Sequence, residues 1–251
     1  MKRMDLNCDM GELPEAIADG TQESLMNWVT SANIACGGHA GDAQTMEATI
    51  RQALEHNLAI GAHPGYPDRE NFGRLELKMS SGEVSDFIFE QVSALDRIAT
   101  RLGAKISHVK PHGALYNQAV QNKELALAIA AGVARWSQVV TLVGLADSPM
   151  LEVFCDAGFA VAAEAFADRR YEADGTLRSR KFGDALIRDP EEAGKQAVSI
   201  ATQNSLTACG GASVEVNAQT LCIHGDTPGA GKIAAAVRKA LAEAGVPVAP
   251  L

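Results

Sequence analysis

The segment ISHVKPHG, residues 106–113, is a short apolar run that ends in a polar turn closed by a glycine. Six other runs of this kind occur along the chain, each only a few residues long and mostly apolar on both faces, as buried parallel strands are. They begin at Met4, Ser31, Leu58, Val139, Phe159 and Thr220. Amphipathic stretches lie between the runs, so the alternation predicts parallel strands connected by helices.

Signals for the ends of helices agree with this alternation. Ser80-Ser81-Gly82-Glu83 predicts a capping box, and Ser148 and Asp189 each precede a proline at an expected helix start. Three glycines stand where helices are expected to stop, namely Gly103, Gly158 and Gly245. We count seven strand–helix units and a weak eighth strand candidate, SVEVN from Ser213, with no linker between them. The sequence therefore predicts one domain over residues 1–251, and a β/α barrel rather than an open sheet.

Composition restricts the class of protein. With 22 Lys and Arg against 31 Asp and Glu among 251 residues, the net charge is −9, which argues against a nucleic-acid or anionic-membrane partner. A hydrophobic content of 47% is typical of a globular protein. No apolar run approaches the length of about 20 residues that spans a bilayer, and the first residues lack the apolar core of a secretory signal. The five cysteines form no CxxC pair, so we expect reduced thiols and a cytoplasmic location.

Polar residues collect in the turns that follow the predicted strands. In a parallel barrel these turns share one face, where active sites are built. Some members have an ordinary explanation, because Asp42 is equally suited to cap a helix and His108 lies within a strand, where a core role fits better. Isolated structural histidines would scatter, whereas four here follow separate strands, so we interpret the cluster as functional. Its members are Asn7, Asp9, Glu12, His39, His63, Lys110, His112, Arg169, Arg170, His224 and Asp226.

Two kinds of chemistry fit these residue types. His39, His63 and His112 with Asp9 have the ligand atoms for a divalent metal, although no two of these three histidines are related by HxxxH or HExxH spacing. Alternatively, the same groups act as acid, base and carbonyl-binding donors, with Lys110 holding an oxyanion or a carboxylate.

The last loop, from His224 to Lys232, resembles a phosphate-binding loop between a strand and a helix. It fails the P-loop pattern because Asp226 stands where the first glycine belongs and Ile233 follows the lysine. What remains is a glycine-rich helix start, which fits either a general anion site that includes Lys232 or an ordinary tight turn.

Six segments in a fixed order resemble one known family. They are DLNCDMGE, SANIACGGHAGD, GAHPGYPDRENFGR, HVKPHGALYN, EAFADRRY and CIHGDTPGA, and they extend from Asp5 to Ala230. Together they closely resemble the LamB/YcsF-like family of lactam utilisation proteins, which includes the A subunit of the bacterial ATP-hydrolysing 5-oxoprolinase. The resemblance implies a distorted β/α barrel related to the polysaccharide-deacetylase-like hydrolases.

The resemblance also implies a reaction and partners. The reaction would be the opening of 5-oxo-L-proline to L-glutamate, with ATP as co-substrate hydrolysed to ADP and phosphate, in a complex with two partners, the B and C subunits. The related deacetylases use an Asp/His metal site, for which Asp9, His39 and His112 are the candidates here, although their spacing differs.

The residues fit the chemistry of lactam opening. In this hypothesis Asp9 or His112 is the base, Lys110 and His39 stabilise charge, and Arg169 or Arg170 holds the substrate carboxylate bidentately. An exposed pair of loop arginines is the ordinary alternative for the last two. The remaining candidates for binding the substrate or an anion are Asn7, Glu12, His63, His224, Asp226 and Lys232.

Two other functions remain open at the level of the sequence. One is a stand-alone metal-dependent amidohydrolase or deacetylase on the same barrel, which would contain stoichiometric Zn²⁺ or Mn²⁺ and act without ATP. The other is a binding or regulatory subunit that captures the lactam without catalysis. Fold alone does not choose among these functions.

Overall fold

The computed structural model describes residues 3–227 and 229–251. Its strands are β1 (Asp5–Met10), β2 (Ser31–Ala35), β3 (Ala59–His63), β4 (Ile106–Val109), β5 (Thr141–Leu145), β6 (Ala160–Phe166), β7 (Ser205–Thr207), β8 (Ser213–Glu215) and β9 (Thr220–Ile223). Seven of them form a closed parallel barrel in the order β1-β2-β3-β4-β5-β6-β9, and β9 pairs with β1 to close it. Each of the seven predicted runs supplies one barrel strand, so the predicted barrel is confirmed.

The weak eighth strand candidate does not enter the barrel. Residues Ser213–Glu215 form β8, which pairs antiparallel with β7 in a separate two-stranded sheet. The strands differ in burial. The first and last residues of β8 are exposed, whereas the barrel strands are largely buried, so β8 lacks the two covered faces of a barrel strand.

Helices surround the barrel. They are α1 (Pro14–Ala18), α2 (Thr21–Met26), α3 (Ala43–Glu55), α4 (Ser81–Arg101), α5 (Gly113–Ala119), α6 (Lys123–Trp136), α7 (Pro149–Asp156), α8 (Pro190–Gln203) and α9 (Ala230–Glu243). None of the helices within residues 3–227 and 229–251 is both long and apolar enough to cross a membrane.

The predicted helix signals are confirmed with one exception. Ser80 and Glu83 form a reciprocal capping box at the start of α4, and the Asp189 side chain accepts from two backbone N–H groups of α8. Ser148 precedes α7 but does not cap it, because its hydroxyl donates to the Leu145 carbonyl instead. The three predicted stop glycines, Gly103, Gly158 and Gly245, have φ of 75°, 89° and 71°, the left-handed conformation typical of helix ends.

The interior of the barrel is polar near its axis. The Asp5 carboxylate accepts from the hydroxyls of Thr30 at 2.7 Å and Ser31 at 2.6 Å. The Asn7 amide donates to Glu164 at 3.0 Å and to the Thr220 hydroxyl at 2.6 Å. Buried polar groups are costly unless they are hydrogen-bonded, so this network fixes the side chains that lead up to the carboxyl ends of the strands.

Close packing of β3 against β4 gives the first prediction. A Cβ atom at Gly61 would overlap the ring of His108, which is fully buried in the barrel. We expect Gly61→Ala to lower the free energy of unfolding by about 1–3 kcal/mol or more, as overpacking does. Gly82→Ala is the matched control, because a Cβ there meets no atom within 4 Å and alanine favours the helix. Chemical denaturation measures both, and equal stability of the two variants would contradict the packing account.

Candidate active site

One cavity of about 870 Å³ opens at the carboxyl ends of the barrel strands. The structure brings most of the predicted site residues to its wall, namely Asp9, Glu12, His63, Lys110, His112, Arg169, His224 and Asp226. Four predicted residues, Asn7, His39, Arg170 and Lys232, are not part of that wall. The predicted clustering on one face therefore agrees with the geometry, whereas these four residues act from behind the wall or lie outside it.

Three histidines and one glutamate meet beside the cavity, and all of them except His39 line its wall. His39 Nε2 lies 2.9 Å from Glu12 Oε1, and His112 Nδ1 lies 3.4 Å from the same oxygen. The rings of His39 and His112 stack with centroids 3.5 Å apart, and His63 meets His112 edge-on. One ligand atom from each of Glu12, His39, His63 and His112 lies within 4.8 Å of the others, which is the spacing of a metal-binding group.

The hydrogen bonds of two histidines define their tautomers. His63 Nδ1 lies 2.7 Å from the Lys110 carbonyl and His112 Nε2 lies 2.9 Å from the Phe72 carbonyl. Because a carbonyl only accepts, both of these nitrogens must carry hydrogen. The inward nitrogens, His63 Nε2 and His112 Nδ1, are therefore unprotonated in the neutral rings, yet they lie 3.0 Å apart.

These facing lone pairs require a positive charge between them. His63 Nε2 also lies 3.3 Å from Asp9 Oδ2, so every neighbour of this nitrogen is electron-rich. Burial, followed by the charge of neighbouring histidines, lowers the pKa of His39 and of His112 well below the usual value, which keeps both rings neutral. Either a shared proton or a bound cation would supply the positive charge between His63 Nε2, His112 Nδ1 and Asp9 Oδ2. The outward N–H bonds to backbone carbonyls are also the arrangement that orients metal-binding histidines, so the residues fit a divalent ion.

Asp9 and Lys110 form a buried ion pair beside the histidines. Lys110 Nζ lies 2.9 Å from Asp9 Oδ1 and 2.9 Å from Glu164 Oε1, and it also donates to Asn7 Oδ1 at 3.3 Å. Burial opposes the charge of Asp9, yet His63 and Lys110 hold its pKa well below the ordinary value. Burial likewise opposes the ammonium of Lys110, but the carboxylates of Asp9 and Glu164 keep its pKa above the usual value. The Lys110 ammonium is therefore paired with the carboxylates of Asp9 and Glu164 and is not available to bind the carboxylate of a ligand.

A hydrogen-bonded chain orients Asp9 from behind. Asn33 Nδ2 donates to Asp9 Oδ1 at 2.8 Å, and Asn33 Oδ1 accepts from His108 Nε2 at 2.8 Å. Burial lowers the pKa of His108 to about 3, so this ring is neutral and belongs to the core, in agreement with the sequence analysis. Sequence reasoning missed Asn33 as a positioning residue, although an asparagine inside the otherwise apolar run SANIA was a signal.

The two neighbouring arginines differ completely. Arg169 is 5% exposed and lines the cavity, and its guanidinium donates to the Arg178 carbonyl at 2.7 Å. Within residues 3–227 and 229–251, no carboxylate lies within 4 Å of it. Burial and nearby Arg180 lower the pKa of Arg169 to about 10, so it stays cationic at neutral pH. Arg170 instead pairs with Glu192 at 2.8 Å, away from the cavity.

The last loop contributes His224 and Asp226 to the site, but not its lysine. Asp168 accepts from the backbone N–H of His224 at 2.8 Å and holds His224 Nδ1 at 2.9 Å. Asp226 pairs with Arg74 and Arg180. Lys232 is exposed on α9 outside the cavity wall, because its helix begins only at Ala230 and directs that position outward. Pro228, within the predicted anion loop, lies outside the described residues. Asp42 caps α3 through a reciprocal capping box, as one of its two interpretations predicted.

Comparisons with known proteins agree with this architecture. The LamB/YcsF family model matches residues 4–251. A protein of Chloroflexus aggregans, named as the A subunit of 5-oxoprolinase, is 49% identical over 248 residues, which cover 99% of this chain and 98% of that protein. The crystal structure of a lactam utilization protein from Thermus thermophilus superposes with a TM-score of 0.92 at 40% identity, covering 99% of this chain and 100% of that one. Peptidoglycan deacetylase PdaC from Bacillus subtilis shares the fold, with a TM-score of 0.50 and 15% identity over 100% of this chain and 88% of that one.

Proposed function

Because this chain belongs to the LamB/YcsF family, we propose that it is the A subunit of an ATP-dependent 5-oxoprolinase, which converts 5-oxo-L-proline, ATP and water into L-glutamate, ADP and phosphate. One observation of the structure supports this proposal most strongly. Among the described residues, the buried and cationic Arg169 has no carboxylate within 4 Å, and it shares a cavity with the ionised Asp9 and with His63 and His112, whose inward ring nitrogens lie 3.0 Å apart. A small ligand with a carboxylate and a hydrolysable amide matches this combination.

Arg169 binds the substrate carboxylate in this proposal. Its side chain is fixed by backbone carbonyls of Ala185 and Arg178, so the guanidinium is held in place before the ligand arrives. A buried charge requires a partner, and the carboxylate of 5-oxoproline supplies one with two parallel hydrogen bonds. The lactam amide is then presented to the part of the cavity wall that Asp9, His63 and His112 form.

Asp9 is the base of the proposed mechanism. Its Oδ1 is occupied by Lys110 and Asn33, whereas Oδ2 lies 3.3 Å from Nε2 of His63. A water beside Asp9 Oδ2 loses a proton to this oxygen as the water oxygen attacks the lactam carbon, and the protonated Asp9 then gives the proton to the ring nitrogen as the C–N bond breaks and the amine leaves. Lys110 stabilises the negative charge that develops nearby, and His39 positions His112 by stacking against it.

The chemistry of the lactam explains why the proposed reaction needs ATP and partner subunits. A five-membered lactam is a poor electrophile, and its hydrolysis needs coupling to ATP. Transfer of the γ-phosphoryl group of ATP to the amide oxygen releases ADP and makes the ring carbon attackable. Opening of the ring then leaves an acyl phosphate, which a second water hydrolyses to the carboxylate and phosphate. This chain has no complete P-loop, kinase-type glycine-rich loop or GxGxxG fingerprint in its sequence, so we propose that the partner B and C subunits complete the ATP chemistry. We also propose a cytoplasmic location, since all five cysteines are free.

The partner requirement is testable with the purified chain. We expect the lone chain to release little or no glutamate from 5-oxoproline, with or without ATP, and the co-expressed complex to release glutamate and phosphate together. The assay measures both products for the chain and for the complex, each with and without ATP. If the lone chain released both at the rate of the complex, the multi-subunit proposal would be wrong.

The histidine cluster supports a second candidate, a metal-dependent amidohydrolase. Glu12, His39, His63 and His112 would hold the ion, and a bound divalent ion supplies Lewis-acid polarisation of a carbonyl or activation of water. The sequence analysis named Asp9 with the three histidines for this role. Glu12 is the better candidate because its Oε1 lies within 4.0 Å of all three histidines, whereas Asp9 is paired with Lys110. Opening of the lactam by the lone, metal-loaded chain without ATP would favour this candidate.

Metal content tests the cluster independently of activity. After equilibration with Zn²⁺ or Mn²⁺ and removal of excess ion, we expect about one ion per wild-type chain and almost none in the double variant His63→Ala, His112→Ala, which lacks two of the four ligands. His56→Ala is the control, because this histidine lies at the end of α3, away from the cavity. If elemental analysis found equal metal in the wild type and the double variant, the cluster of Glu12, His39, His63 and His112 would not be the metal site. The positive charge between the histidines would then be a proton.

A further inference from the structure

Two arginines from distant loops grip one carboxylate oxygen at the mouth of the cavity. Arg74 belongs to the segment after β3, Arg180 to the segment between β6 and α8, and Asp226 to the loop after β9. Arg74 Nη2 donates to Asp226 Oδ2, and Arg180 Nη1 donates to the same oxygen at 3.1 Å. All three side chains line the cavity, and the sequence analysis named neither arginine as a site candidate.

The charges at this place do not balance. Two guanidinium groups face one carboxylate, and on the same wall Lys181 adds a further positive charge and Glu76 a negative one, which leaves a net positive charge. The second oxygen, Asp226 Oδ1, is buried without a hydrogen-bond partner among the described residues. A carboxylate that uses one oxygen for two arginines leaves most of their donors unused, because each guanidinium carries five N–H groups. A surplus of positive charge inside a chain of net charge −9 marks this wall as a place for an anion.

A phosphoryl group matches the donors better than a carboxylate does. It carries up to two negative charges and three acceptor oxygens, so it can receive bidentate hydrogen bonds from both guanidinium groups. The cavity also has room for more than one small lactam, since its volume of about 870 Å³ lies in the upper part of the range of roughly 300–1,000 Å³ that holds drug-sized ligands.

We propose that Arg74 and Arg180 form a phosphoryl-binding subsite of the cavity and that Asp226 competes with the phosphoryl group for them. This inference rests on the proposed function and extends it, because it places a second anion position beside Arg169, the proposed carboxylate receptor. The phosphoryl group belongs either to a phosphorylated, carboxylate-bearing ligand or to the phosphate chain of ATP, and both present the same chemistry to the two arginines.

Asp226 can compete with a phosphoryl group for Arg74 and Arg180 because its carboxylate stays ionised. Burial opposes its charge, but Arg180, His224 and Arg74 together hold its pKa below the ordinary value. Neutralising this residue removes the internal anion while keeping the shape of the side chain. A merely structural link would lose strength in Asp226→Asn without any gain in anion binding, whereas a competitor would release the arginines for phosphate.

Calorimetric titration of the chain with inorganic phosphate tests the subsite. We expect Arg74→Gln and Arg180→Gln each to weaken phosphate binding by about tenfold or more, as loss of charge-assisted hydrogen bonds does. We expect Asp226→Asn to tighten it by at least about threefold. Arg188→Gln is the control, since this arginine is exposed near the end of the same segment as Arg180 and does not line the cavity.

Titrations with ATP identify the source of the phosphoryl group, and a further variant keeps the test valid if a glutamine variant unfolds. ATP that binds more tightly than phosphate, and loses this affinity in Arg180→Gln, would assign the subsite to the nucleotide. ATP that binds no more tightly would assign it to a single phosphoryl group. If a glutamine variant fails to fold by thermal unfolding, Arg180→Lys keeps the charge and should bind phosphate with an affinity between those of wild type and Arg180→Gln.

Two results would overturn the subsite. One is unchanged phosphate affinity in both glutamine variants, and the other is unchanged or weaker affinity in Asp226→Asn. The lone chain suffices for these titrations, so they do not depend on glutamate formation. Phosphate binding that follows the expected pattern, in a complex that makes no glutamate, would refute the proposed function and leave the subsite standing.

Discussion

Asp9→Asn in this chain is expected to lower the kcat of the assembled complex by about 10²–10⁴-fold, the usual cost of losing a general base. The substitution keeps the size of the side chain and its contacts with Lys110 and Asn33, but it removes the oxygen charge that faces His63. Steady-state glutamate release measures the loss. Circular dichroism and co-purification with the partner subunits show whether the variant folds and assembles.

The control for this prediction is another neutralised carboxylate. Asp86 lies on the exposed face of α4 and pairs with Arg135, far from the cavity wall, and exposed ion pairs contribute little. Asp86→Asn should therefore retain wild-type turnover. Wild-type turnover in Asp9→Asn would remove Asp9 from the mechanism and return the base to the histidines.

Arg169→Gln is expected to reduce kcat/KM for 5-oxoproline by about a hundredfold, mostly through KM. The guanidinium is buried and held by backbone carbonyls, so its loss would leave the carboxylate of the proposed substrate without a cationic partner. Truncating one member of a buried charged pair typically costs about 2–5 kcal/mol. Steady-state kinetics with varied 5-oxoproline measure the effect.

The adjacent arginine provides the matched comparison. Arg170 pairs with Glu192 outside the cavity, so Arg170→Gln should change kcat/KM by less than about threefold. Equal effects of the two substitutions would show that the carboxylate is bound elsewhere. A large effect of Arg170→Gln alone would reverse the assignment of the two residues.

The arrangement of strands was predictable because burial leaves a clear signature in the sequence. Parallel barrel strands are covered on both faces, which makes runs such as those from Val139 and Thr220 almost continuously apolar. The same logic placed the polar turns on one face, since all strands of a parallel barrel end on the same side. Only the short strand at Ser213 was misplaced in the sheet, because three residues of weak alternation do not distinguish a barrel strand from a separate hairpin.

The assignment of individual site residues was less predictable because it depends on turns. Gly11 has a φ of 75°, and after this turn Glu12 lies nearer His39 and His112 than Asp9 does. Sequence alone gave no means to separate Arg169 from Arg170, because the direction of each side chain follows from the path of the loop.

Contacts between loops that are far apart in the chain could not be predicted from the sequence. Arg74 and Asp226 are 152 residues apart in the chain, and Arg180 reaches the same carboxylate from a third loop. No periodic pattern or motif connects such residues, since only closure of the barrel brings the three loops together above its strands.

The most direct test of the account is to follow glutamate and phosphate simultaneously in three mixtures containing 5-oxoproline and ATP: the partner subunits by themselves, the partners with this chain, and the partners with its Asp9→Asn variant. We predict that glutamate forms only with the wild-type chain, at about one glutamate per phosphate, because the lactam is opened at the site built around Asp9. Glutamate release at the wild-type rate by the partners by themselves or with the variant would contradict the claim that this chain opens the ring.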